Sequence, residues 1–281
     1  MRIVMDDAGD VPAELAQELN IRVVPVNIMF GTEQFLSGVE MDQAAFYAKT
    51  AEVTAENFPK TSQPTPYQFE QVYREILAEG ENEILTITVS EKLSGTYASA
   101  IAAARELEGQ GTFHLFDSQA GSAAQGYMAI EAARMAQAGE SIDAIMARLH
   151  KMREEMAVVF TIDSLEYAVK GGRVSSMKSV MASLLNIKPI LRLEDGLIVE
   201  AGRVRTRKKA IGHIIDMVAT EVGNKPVRVA YIHANAADEA KILAERARSV
   251  LNVSEELVVD MAVAVAINLG PGALGLVAIP V

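Results

Sequence analysis

The chain has 281 residues, with 26 basic and 37 acidic side chains and a formal net charge of −11. Half of the residues are apolar and 22% are charged, the balance of a globular protein rather than a disordered or fibrous one. The absence of cysteine excludes a disulfide framework, a cysteine nucleophile and a thiolate metal site. The acidic balance argues against a general nucleic-acid or anionic-membrane binder.

Met1 to Asp10 carries Asp6, Asp7 and Asp10 behind a short apolar run, without the basic front and apolar core of a secretion signal. In chain order, the pattern predicts strands over Arg2–Met5 and Ile21–Phe30, then a helix over Pro66–Ala78 and a strand over Glu83–Val89. A helix over Thr96–Leu107, a strand over Thr112–Phe116 and helices over Ala120–Ala138 and Ser141–Glu155 follow. After a strand over Ala157–Ile162, Asp195-Gly196 marks a hairpin between strands at Pro189–Leu193 and Leu197–Arg205. The remaining expectations are a helix over Lys208–Val222, a strand over Val227–His233, a helix over Asp238–Val250, and strands over Glu256–Ala262 and Val277–Ile279. Strand–helix alternation of this kind predicts an α/β fold with mostly parallel sheets.

From Met261 to Val281 the only polar side chain is Asn268, but Gly270, Pro271, Gly272, Gly275 and Pro280 interrupt any membrane-spanning helix. The tail therefore reads as two buried strands joined by a glycine-proline loop, in a soluble cytoplasmic protein. Strand grouping divides the chain into a larger α/β domain, 1–57 with 163–281, and a second one, 58–162, carrying the loops at Thr61 and Ser94.

Several segments could carry chemistry. In Thr61-Ser62-Gln63-Pro64-Thr65-Pro66, Thr65 suits a helix N-cap, Pro66 the first helical position and Gln68 a capping box, while Thr61 and Ser62 add hydroxyls upstream of the cap. Ser94-Gly95-Thr96 lies between a strand and a helix start, where hydroxyls, backbone donors and the positive helix end suit a carboxylate or a phosphate. Met5-Asp6-Asp7 and Asp117-Ser118 repeat this strand-end placement; the paired Asp6 and Asp7 fit turn capping better than metal binding. Gly171-Gly172-Arg173 reads as a helix stop. Arg203, Arg205 and Arg207 alternate, so an extended chain would place them on one face, beside Lys208 and Lys209. None of His114, His150, His213 and His233 has metal-ligand spacing to another, and no metal or cofactor is expected.

These segments in this order resemble the DegV family, bacterial fatty-acid-binding proteins that act as substrate carriers for fatty acid kinase. The resemblance rests on Ile3-Val4 with Asp6, Thr61-Ser62-Gln63-Pro64, Leu93-Ser94-Gly95-Thr96-Tyr97, Asp117-Ser118, and Leu165-Glu166-Tyr167 with Gly171-Gly172-Arg173. It continues through Ile187-Lys188-Pro189-Ile190-Leu191, Arg205-Thr206-Arg207-Lys208-Lys209, His233-Ala234-Asn235 and Gly270-Pro271-Gly272-Ala273-Leu274-Gly275. It implies two α/β domains enclosing an acyl-chain pocket near their junction, and a lipid carrier without catalysis of its own. By position it assigns carboxylate binding to Thr61, Ser62, Ser94, Gly95 and Thr96, and docking of a fatty acid kinase catalytic subunit to Arg173 and Arg205. Two positions depart from the family: its opening Thr-Asp-Ser reads Met5-Asp6-Asp7, and its carboxylate-contacting histidine is Asn268, which is expected to take over that ligand-binding role by donating from its carboxamide. The alternative from the residues alone is a small-molecule hydrolase using Ser94 or Ser118, which would need a base such as His114 or His233 within reach.

Overall fold

The expected alternation of strands and capped helices is realised along the chain, in a computed structural model that describes residues 1–54, 56–174 and 187–281. It divides into two units, Met1–Arg153 with Ala262–Ala264, and Glu154–Met261 with Val265–Val281. Residues 1–54, 56 and 57 thus lie with residues 58–153 and Ala262–Ala264, and not with the rest of 163–281. The reason is direct pairing: the strand at Arg2–Asp6 hydrogen-bonds in parallel with the strand at Glu83–Thr88.

The first unit begins with β1 (Arg2–Asp6), a 3-10 turn at Asp7–Gly9, α1 (Ala13–Glu18), β2 (Arg22–Val24), β3 (Asn27–Phe30), β4 (Glu33–Leu36) and α2 (Gln43–Thr50). It continues with β5 (Lys60–Ser62), α3 (Pro66–Ala78), β6 (Glu83–Thr88), α4 (Thr96–Glu106), β7 (Thr112–Asp117), α5 (Ser122–Gln137) and α6 (Ile142–Glu155), which leads out of the unit. A four-stranded parallel sheet runs in the order β2-β1-β6-β7, and a three-stranded antiparallel sheet in the order β4-β3-β5. The helix α3 buries Phe69, Tyr73 and Ile76, the i, i+4, i+7 stripe that faces a core. Together with Ala100, Ala103 and Leu107 of the α4 segment, they cover Val4, Val24 and Ile84 of the sheet. The Tyr73 hydroxyl, held 2.8 Å from Thr86 Oγ1, is satisfied inside that core.

The second unit contains β8 (Ala157–Thr161), α7 (Leu165–Gly171), β9 (Lys188–Glu194), β10 (Leu197–Val204), α8 (Arg207–Val222), β11 (Val227–His233), α9 (Ala237–Arg248), β12 (Val253–Asp260), α10 (Val263–Leu269) and β13 (Leu274–Pro280). Its six-stranded sheet runs β10-β9-β8-β13-β11-β12, and only β11 with β12 is parallel. The expectation of mostly parallel sheets is therefore corrected: it describes the four-stranded sheet alone. The second sheet departs because its hairpin and its last strand run antiparallel to their neighbours. The predicted hairpin joins β9 to β10, with Asp195 and Gly196 both at positive φ (49° and 75°), as a primed turn requires. One face of the sheet is covered by α8 and α9, which bury Ile214, Val218, Leu243 and Ala244 against Val159, Val229 and Leu276.

Three local expectations change. The run predicted as one strand, Ile21–Phe30, is two strands in different sheets, because Pro25 has no N–H to continue a ladder. The apolar run after Met261 is the helix α10 rather than a strand; a short run that is apolar throughout has no periodicity to separate the two. The alternating arginines do not share a strand face, since β10 ends at Val204 and Arg207 opens α8. Among the described residues no helix is long and apolar enough to cross a membrane.

Candidate functional site

In the parallel sheet, β1 is followed by β2 on one side while the chain returns to β6 on the other. The carboxyl ends of β1 and β6 therefore form the switch point at which open α/β sheets place ligands. In this chain a side chain occupies that point. Asp6, fully buried, accepts from the N–H groups of Val89 (2.8 Å) and Ala8 (3.1 Å) and from Gln125 Nε2 (3.0 Å). Burial pushes its carboxyl up to about 6, against the pull of those three donors. Asp7 accepts from the Ser37 hydroxyl, and its carboxyl is likewise raised by burial. Asp10 accepts from Ser122 and from Ala262 N (2.7 Å). Asp6 thus caps the turn after β1, as predicted, whereas Asp7 holds the Ser37 side chain and Asp10 holds Ser122 and a backbone N–H distant in the chain.

Beyond β6 the chain makes a tight turn, in which the Ser90 carbonyl accepts from Leu93 N (3.0 Å) and Ser94 N (3.1 Å). It is tied to the neighbouring strand end by Glu91 N donating to Asp117 Oδ1 (3.1 Å) and Ser90 N to the Ala120 carbonyl (2.8 Å). Gly95 is then the N-cap of α4, and it supplies no side-chain cap bond. The N–H groups of that first turn point out of the helix start beside Ser94 and the buried Thr96. Ser94 Oγ and Thr96 Oγ1 are 2.8 Å apart. One proton of the pair is used between them; the other remains to donate.

The Thr61-Ser62-Gln63 segment reaches this turn. Thr61 and Ser62 lie on β5, paired with Ile28 and Asn27 of β3, with Thr61 half-buried and Ser62 exposed. Gln63 lies over Gly95: a Cβ at position 95 would sit 2.6 Å from Gln63 Nε2. Asn27 Nδ2 donates to the Gln63 carbonyl (3.0 Å) and to Gln68 Oε1 (3.2 Å), and Gln68 Nε2 donates to the Pro25 carbonyl (3.1 Å). The predicted capping box is present: Gln68 N donates to Thr65 Oγ1 and Thr65 N to Gln68 Oε1. Gln63 and Asn27 are the residues that sequence reasoning missed. Gln63 was visible inside the motif, but only the fold brings it onto Gly95.

The DegV family model, described as "Uncharacterised protein, DegV family", matches residues 1–281. The chain belongs to the DegV family. A DegV domain-containing protein of Listeria innocua is 34% identical over 275 residues, 98% of this chain and 96% of its own length. A Thermus thermophilus DegV-family structure, described as fatty acid binding, has a TM-score of 0.92 at 34% identity and covers 100% of both chains. The Bacillus subtilis DegV structure, described as that of a fatty acid binding protein, has a TM-score of 0.88 at 30% identity, over 100% of this chain and 99% of its own.

The other positions that the DegV resemblance singles out lie in the second unit. Asn268 is half-buried on α10, and its Oδ1 is 2.8 Å from where a Gly171 Cβ would be. Arg173 is half-buried; it donates to the Gly171 carbonyl, and burial lowers its guanidinium from the ordinary arginine value. Arg205 is exposed and forms no hydrogen bond or ion pair with a described residue. Its neighbours are neutralised: Arg203 by Glu200, and Arg207 by a two-pronged pair with Glu239 (2.9 and 2.7 Å). The hydrolase alternative gains no base from these contacts. Ser94 bonds to Thr96, Ser118 Oγ donates to the Ala120 carbonyl (3.3 Å), His114 pairs with Glu83 and His233 lies 3.3 Å from Asp260.

Proposed function

We propose that this DegV-family chain binds a long-chain fatty acid and presents its carboxylate to a partner kinase, which supplies nucleotide and metal. The observation that carries the reading is the end-to-end likeness to structures described as fatty acid binding. The local chemistry agrees with it. A fatty-acid carboxylate needs donors and positive potential, and the start of α4 offers the Ser94–Thr96 hydroxyl pair, uncapped N–H groups and the helix dipole. Thr61, Ser62 and the Gln63 carboxamide on Gly95 complete the donor set on the facing strand end.

Affinity and orientation come from different parts of the ligand. Each buried methylene contributes about 0.8 kcal/mol, so an acyl chain outweighs the head-group hydrogen bonds, which aim the carboxylate. Organic extraction and native mass spectrometry of the chain purified from a heterologous host test the reading, with one fatty acid per chain as the expected result. A lipid-free preparation that binds neither labelled palmitate nor labelled oleate overturns it.

A further inference from the structure

The second unit carries an open surface groove of about 630 Å³ whose lining has a different chemistry from the head-group turn. Lys208, Lys209, His213 and Arg246 line it, and Asp216 is the one acidic side chain among the lining residues. In a chain of net charge −11 this is a local excess of positive charge. The placement follows from the helix: Lys209, Gly212, His213 and Asp216 recur at i, i+3, i+4 and i+7 along one face of α8. Thr206 caps α8 by accepting from Lys209 N (3.3 Å), so the positive helix end and both lysines meet at one end of the groove.

Arg246, from α9, crosses to that end. Its Nη1 lies 3.5 Å from the Lys208 carbonyl, and its Nη2 would be 3.2 Å from a Cβ at position 212. Glycine is a poor helix former compared with alanine, and here its missing Cβ leaves room for the guanidinium. The Lys208 and Lys209 ammonium groups form no ion pair with a described residue. The volume lies within the range of small-molecule sites, roughly 300–1,000 Å³, and is far larger than a single anion needs.

We propose that this groove binds a phosphate monoester with a hydroxyl-rich body. The phosphoryl group lies among Lys208, Lys209 and Arg246, and the hydroxyl groups donate toward Asp216. Phosphate suits three cations at a helix start, since its double charge and three oxygens engage all of them. Asp216 repels the phosphoryl group and accepts from a sugar, which sets the ligand's direction along α8.

Isothermal titration of the full chain at constant ionic strength tests this with inorganic phosphate, AMP and glucose 6-phosphate. Saturable one-to-one binding of at least one ester is expected, roughly tenfold tighter than inorganic phosphate. The two esters distinguish a nucleotide from a sugar phosphate as the preferred source. Lys208→Gln with Lys209→Gln, and separately Arg246→Gln, should each weaken ester binding by roughly tenfold or more with the fatty-acid load unchanged. Asp216→Ala should remove the preference for ester over inorganic phosphate. Absence of saturable binding by both esters, undiminished binding in the lysine and arginine variants, or capture of a polyglutamate peptide in place of the esters overturns the proposal.

Discussion

Asp6 sits at the crevice of its sheet as a buried carboxyl held by N–H donors. Its carboxyl rises to about 6 in the folded chain from an ordinary 3.8. The native state therefore holds the proton more tightly than the unfolded chain, and stability from this group is gained as pH falls through about 6 and complete below about 4. Relative to Asp6→Asn, which does not titrate, the parent chain should gain on the order of 3 kcal/mol between pH 7 and pH 4. Urea unfolding of both proteins across that range checks this; a pH-independent difference removes the assigned role of burial. Ser94 allows a binding prediction, because its loss leaves the Thr96 hydroxyl without its 2.8 Å partner and the proposed carboxylate site without a donor. Ser94→Ala should weaken fatty-acid binding by about 1–2 kcal/mol in a competition assay with labelled oleate. The family resemblance gives a head-group contact to Asn268, which Asn268→Ala tests separately. Fatty-acid affinity lower by about 1–3 kcal/mol supports that contact, and unchanged affinity removes it.

At the scale of elements, close approaches decide more than propensities. The helix α5 lies so near the turn after β1 that a Cβ on Gly126 would come within 2.2 Å of the Gly9 carbonyl oxygen. Helix propensity alone predicts that Gly126→Ala stabilises the chain by about 1 kcal/mol. The contact predicts the opposite sign, a loss of about 1–3 kcal/mol from overpacking, because a backbone carbonyl cannot swing aside as a side chain does. The midpoint of chemical denaturation decides between the two. Gly95 illustrates the contrast: a Cβ there meets the end of the exposed Gln63 side chain, which can turn away. Both glycines stand in the sequence without any mark of this difference.

At the scale of the whole molecule, charge offers a way to test the proposed partner docking apart from the proposed ligand binding. Arg205 is an exposed cation on a chain of net charge −11, and its neighbours Arg203 and Arg207 are neutralised by Glu200 and Glu239. If Arg205 docks the proposed kinase, Arg205→Glu should slow phosphorylation of the bound fatty acid and leave fatty-acid affinity unchanged. The difference between parent and variant should shrink as salt is raised, because exposed charges are screened over about 8–10 Å near physiological ionic strength. A matching loss of fatty-acid affinity would place the arginine at the ligand instead. The sequence by itself determined the α/β class, the capping box at Thr65 and Gln68, the Asp195-Gly196 hairpin and the motifs that carry the family, because each depends on residues close together in the chain. Only the tertiary structure decided that β1 pairs with β6, that the tail opens with the helix α10 before β13, that most of the second sheet is antiparallel, and that Gln63 lies on Gly95. Those outcomes depend on which distant strand a segment pairs with and on which faces meet, and a uniformly apolar run or a lone glycine carries no local periodicity that records either.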